Sequence, residues 1–191
     1  MRTACSQIAW GIGLTLFDFR INGFDLLPDV LGFILILIGL ANLPDRQRGF
    51  GIAMAAAAVM LALSIAELAG AMPATVTISQ SDRSYSLSAL SAIGLSTLCM
   101  LALLYGLCEG FARTAASIDR MEAARSFRAV WHLSLAMSVI MLFVLPFGLN
   151  GIGFLSIVTL LAGLGQFAAG IWLIVLVRRF GREYAATALR E

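Results

Sequence analysis

Lysine is absent from the 191 residues, histidine occurs once, and Asp and Glu together number only 11. All 13 basic residues are therefore arginine. Charged residues make up 13% of the chain, about half the usual fraction of ~25%. So few charges cannot clothe a water-soluble domain of this size, and a net charge of +2 leaves no polyanion-binding footprint. These shortages exclude a soluble enzyme, a disordered chain and a nucleic-acid binder. The three cysteines, Cys5, Cys99 and Cys108, form no C-x-x-C pair and show no metal spacing. Cys99 and Cys108 lie in an apolar run, where a thiol acts as a small hydrophobe. There is no G-x-S-x-G, no H-E-x-x-H and no P-loop. No serine has a histidine partner at plausible membrane depth. The expectation is a non-enzymatic protein with no cofactor and no metal. Basic residues that are all arginine, with abundant Ala and Gly, point to a GC-rich bacterial genome.

What the chain does have is apolar length. Hydrophobic residues reach 60% without the 18 glycines, and mean hydropathy is +0.93. The length suits one domain, whose main surroundings are lipid. A hydrocarbon layer of ~30 Å takes about 20 helical residues to cross. Segments 4–21, 26–43, 50–72, 87–112, 129–148 and 152–177 fit that requirement. The expected fold class is an all-α polytopic membrane bundle of six transmembrane helices, one domain over 1–191 with a basic cytoplasmic tail at 178–191. Pro28 suits a first helical turn, and Pro73 stops the third helix. The N-terminus has no A-x-A cleavage site and no lipobox around Cys5, so it reads as a retained helix. Helix one either spans, lies in the interface or re-enters. Without it the spans number five.

Arginine placement sets orientation. Arg2, the 44–49 loop, the 113–128 loop and the tail together hold 11 arginines, against Arg20 and Arg83 on the other side. The positive-inside rule then puts both termini in the cytoplasm, which requires an even number of spans and favours six. If helix one does not span, the N-terminus moves outside. The location is a bacterial cytoplasmic membrane. The tail arginines suit anionic lipid heads, and Trp131 and Trp172 fit an aromatic belt on the cytoplasmic half. The outer loop 73–86 is polar and Ser/Thr-rich.

Helical spacing gathers small and polar residues on single faces. These are Gly11, Thr15, Asp18 and Asn22 in helix one, and Asp29, Gly32, Gly39 and Asn42 in helix two. Helix three offers Ala53, Ala57, Met60, Ser64, Glu67 and Ala71. Helix four offers Cys99, Ala102, Gly106 and Glu109, and helix six offers Ser156, Thr159, Gly163, Gln166 and Gly170. Small stripes let helices approach closely, and polar members bond across the seam. Gln166 lies near mid-depth, where an unpaired amide is costly, so its partner is either another helix or a ligand. Glu109 and Arg113 form an ordinary i,i+4 pair.

Intramembrane carboxylates are functional candidates by default. Asp18, Asp25, Asp29 and Glu67 gather in the outer third, with only Arg20 and Arg83 to offset them. Such a cluster raises its members' proton affinity and attracts cations. The competing reading pairs Asp18 with Arg20 and leaves Asp29 to the dipole of helix two. A weak echo, F-x-Φ-N-G-Φ, joins Phe19–Phe24 to Phe147–Ile152, with Asn-Gly suited to tight turns.

The run from Ile21 to Leu40, I-N-G-F-D-L-L-P-D-V-L-G-F-I-L-I-L-I-G-L, resembles the first hairpin of a set of uncharacterised bacterial multi-pass membrane proteins carrying N-G-x-D-x-L-P-D-x-x-G-[FY]. The likeness spans about 20 of 191 residues. It implies a bacterial polytopic membrane protein, with no activity attached. Two functions are expected. One is a small permease or ion- or proton-coupled carrier, with Asp18, Asp29 and Glu67 holding a cation or proton and Thr159 and Gln166 lining the pocket. The other is a non-transporting accessory or scaffold subunit. The expected partners are the lipid bilayer and a membrane protein or second copy, not nucleic acid.

Overall fold

A computed structural model describes residues 1–16, 20–21, 24–25, 29–43, 47–68, 87–148 and 153–187. Within these, only the backbone is described at 20–21, 24–25, 67–68, 87–93, 145–148, 153–156 and 185–187. Asp18, Arg46, Arg83, Arg190, the 73–86 loop and both Asn-Gly turns lie outside the described residues.

Among the described residues six helices form: α1 Arg2–Leu16, α2 Asp29–Ala41, α3 Arg48–Leu68, α4 Leu87–Ser117, α5 Met121–Gly148 and α6 Gly153–Thr187. Between α1 and α2 the chain turns back through β1 Arg20–Ile21 and β2 Phe24–Asp25, paired antiparallel with Arg20 opposite Asp25. Each helix packs on its neighbours in the chain, and α6 returns to α1, which closes a ring. The fold is an all-α helical bundle. Among the described residues, four helices are long and apolar enough to cross a membrane, over Arg48–Ala66, Gly94–Ser117, Met121–Val144 and Ile157–Tyr184. α1 has 15 residues and α2 has 13, short of the ~20 a crossing takes.

Two boundaries differ from the hydropathy reading. The segment 113–128 is helix except for the corner Ile118–Arg120. Hydropathy alone ends an element at the first arginine, yet Ala, Arg, Glu and Met are strong helix formers and carry α4 and α5 past the apolar zone. The corner has a physical signature. Arg120 N–H donates to Ala115 O at 2.9 Å and Asp119 N–H to Ala116 O at 3.2 Å. Asp119 takes φ 58°, the left-handed C′ position of a Schellman cap. Asp is one of the few non-glycine residues that tolerate it. The tail likewise continues α6 through Thr187.

Small residues set the tightest seams. A Cβ on Gly106 would stand 2.5 Å from Ala53 N and 2.6 Å from Gly49 O, so α3 and α4 touch backbone to backbone. The same holds for α1 and α2, where a Cβ on Gly11 would meet Gly32 O at 2.7 Å. Without a solvent-driven force between helices in lipid, such close approach is what holds a bundle together.

Candidate functional site

The arginine-rich end is filled. Phe111 and Phe127 stack at 5.3 Å, and Phe50 and Phe180 meet Phe111 edge-on at 5.2 and 5.9 Å. Ile8, Ile36, Leu107, Leu173 and Val177 are fully buried around them. Ion pairs ring this plug. Arg113 Nε reaches Glu109 Oε1 at 2.6 Å, as its spacing implied, and Arg128 adds a second contact to Glu109 at 3.8 Å. Arg178 lies over the Trp10 ring at 4.7 Å, an arrangement suited to a membrane interface. Cys5 and Cys108 are buried free thiols.

The seams also fix a common register. Gly170 faces Leu16, and Gly165 faces Met137. Tyr105 meets Trp131, and Gly106 meets Ala53. Every one of these pairs runs antiparallel. Carried along ideal helices, the register puts Leu16 level with His132 on α5, Leu104 on α4 and Ala55 on α3. From that level α3 runs about 20 Å further, α5 about 24 Å, and α4 and α6 about 25 Å each, at ~1.5 Å per residue. α1 has ended by Arg20, where β1 begins. The α1–α2 hairpin therefore turns back while the other four helices continue.

Just beyond that turn lies a polar layer. Ser134 and Ser138 are buried at 2% and 6% exposure. Gln166 falls at a level between these two serines, flanked on α6 by the buried Ala162 and Ala169, and its Oε1 is enclosed with no hydrogen-bond partner. An enclosed carbonyl left unpaired costs about 1–3 kcal/mol. Half-buried Cys99 is at a similar level on α4.

No protein-family model, curated protein or solved structure matches this chain.

The expected site residues divide. Gln166 sits inside the ring in the polar layer. Asp29 opens α2 near the level of Leu16, half-buried and engaged by another group. Glu67 is on the last turn of α3, about 10 Å beyond the Gln166 level; its side chain is outside the described residues. Thr159 shares the Glu67 level, but is exposed and already has a partner. Asp18 lies outside the described residues. On α6 the buried face runs through Ala162, Ala169, Leu173, Val177 and Phe180, not through Gly163, which has nothing within 4 Å of a Cβ. That face is made by alanines at Ala162 and Ala169 and by large apolar side chains from Leu173 onwards. Sequence reasoning passed over Ser134 and Ser138; their i,i+4 spacing in an apolar helix was the available signal.

Proposed function

We propose that the chain is a small permease or ion- or proton-coupled carrier of a bacterial cytoplasmic membrane, with α3–α6 as spans and α1–β1–β2–α2 as a re-entrant hairpin. The observation that carries this reading is the early turn-back of that hairpin, directly below the polar layer of Ser138 and Gln166. Leu16 is level with Gly170, seven residues or about 10 Å from Val177, the last apolar residue before Arg178. Strand backbone at that depth is tolerated only where protein shelters it or water reaches it. Broken or short elements near mid-membrane are how many carriers build ion and substrate sites. A pocket open to the arginine-poor side would place Gln166 at its floor and Asp29 near its edge, with the acids Asp18 and Glu67 expected from the sequence alone to add negative charge. The aromatic plug closes the opposite end.

Orientation follows from charge. Arg2, Arg48, Arg113, Arg120, Arg125, Arg128, Arg178, Arg179 and Arg182 all belong to one end of the antiparallel ring. The positive-inside rule makes that end cytoplasmic. Four spans plus a hairpin that enters and leaves on one side keep both termini there.

The test is reconstitution into liposomes with an internal pH dye and an imposed membrane potential, repeated for sodium and potassium with matching indicators. The expected result is a flux of one of these ions above empty liposomes, lost in Glu67→Gln with the fold intact. No flux of any of the three would contradict the carrier. The accessory reading has its own observation. Gly51, Ala55, Ala58 and Ala62 form an exposed small-residue stripe on α3, the kind of face that accepts another transmembrane helix. Co-purification of a stoichiometric membrane partner, lost in Ala58→Leu, would favour it.

A further inference from the structure

The corner between α4 and α5 faces the last turns of α6 across a cleft of about 390 Å³, within the range of roughly 300–1,000 Å³ that small-molecule sites occupy. Its level is set by two tryptophans. Trp131 is one turn from Phe127, and Trp172 is one turn from Leu176; Phe127 and Leu176 both line the cleft. Trp172 is exposed towards lipid. Tryptophans of this kind mark the boundary between hydrocarbon and headgroups, so the cleft opens about one to two turns beyond it, at headgroup depth.

The lining has two chemistries. Its floor is apolar, made by Phe127, Phe180 and Leu176. Its rim carries both signs of charge. Arg120 Nη1 donates to Glu183 Oε2 at 3.2 Å and Arg179 Nε to Glu183 Oε1 at 2.8 Å. The two guanidiniums thus converge on one carboxylate, leaving further N–H groups on each for a second acceptor. Asp119 and Glu122 also line the cleft, are exposed, and enter none of the ion pairs within 4.0 Å among the described residues, although the charge of Glu122 is felt by Arg179. Three carboxylates against two guanidiniums disfavour a simple anion, and the arginines disfavour a simple cation. A ligand with a phosphate and a nearby ammonium satisfies both halves of the rim.

We infer that this cleft binds the headgroup of a zwitterionic, ammonium-bearing phospholipid. The phosphodiester lies against Arg120 and Arg179, the ammonium against Asp119 and Glu122, and the glycerol end against the apolar floor. An ammonium with three N–H donors matches two carboxylates, whereas a quaternary amine offers no donors. Basic pockets between helices on the cytoplasmic side are known lipid sites; the added carboxylates select the headgroup here.

The test is native mass spectrometry of the delipidated full chain in detergent, titrated with phosphatidylethanolamine, phosphatidylcholine, phosphatidylglycerol or soluble glycerophosphoethanolamine. The expected result is preferential retention of phosphatidylethanolamine. Loss of the charge-assisted contacts in Arg120→Gln, or in Asp119→Asn with Glu122→Gln, should weaken it about tenfold. Unchanged unfolding temperatures without lipid would show those variants folded; a variant that fails this check is replaced by Glu122→Gln alone, for which the same weakening is expected. Equal retention of the three lipids, or unweakened binding by the folded variants, would overturn the proposal. Competition by the soluble headgroup at the same concentration as the lipid would overturn the lipid as its source.

Discussion

Gln166 carries an enclosed carbonyl oxygen with no partner, although the buried hydroxyls of Ser134 and Ser138 lie near its level on the neighbouring helix. Cross-helix glue would have paired it. Replacing it with Leu removes a polar atom that contributes no bond, so Gln166→Leu should raise stability by about 1–3 kcal/mol, seen as a higher unfolding midpoint in detergent, while lowering ion flux. A lower midpoint would show that the amide holds the bundle together. Phe111 is the contrary case. It is fully buried and meets three other phenylalanines. Phe111→Ala should cost about 3–5 kcal/mol and, on the carrier reading, make liposomes containing the protein leaky. Stability within 1 kcal/mol of the native chain, judged against the usual scatter for surface changes, would remove the plug from the account.

At the scale of elements, the seams are the most legible feature. Gly106, Ala53, Gly11, Gly32 and Gly39 stand out in the sequence as small residues at helical spacing, and each faces a neighbouring helix at close range. Gly106→Val pushes a side chain into the α3 backbone and should cost at least the 1–3 kcal/mol typical of overpacking. Gly163→Ala, which meets nothing within 4 Å, should stay within about 0.5 kcal/mol. Thermal unfolding of both in one detergent checks the pair; equal losses would contradict the seam assignment. Less legible were the ends. Arg125 and Arg128 made the start of α5 look like loop, because hydropathy reports lipid contact rather than helix. The α5–α6 cleft was missed for that same reason, since its walls are helical turns beyond the apolar zone. Gly163 was assigned to a buried stripe that is instead defined by Leu173, Val177 and Phe180, whose bulk no small-residue pattern anticipates. The acids Asp18 and Glu67 were legible as unusual residues, but unusual charge does not give geometry.

For the whole molecule, hydropathy shows six apolar segments and cannot tell a crossing from a dip. The distinction comes from register: α1 meets α6 near its middle, so the hairpin stops where α3–α6 still have roughly two-thirds of a bilayer to run. On the proposed reading, that geometry is also what leaves both termini on one side. The most direct test places a single cysteine at Ile21, in β1, after Cys5, Cys99 and Cys108 are replaced by alanine. In sealed vesicles of known orientation, a membrane-impermeant maleimide should label Ile21→Cys from the arginine-poor side, because on the proposed carrier reading water reaches a re-entrant tip from there. Labelling from the arginine-rich side alone, or from neither side, would contradict the account.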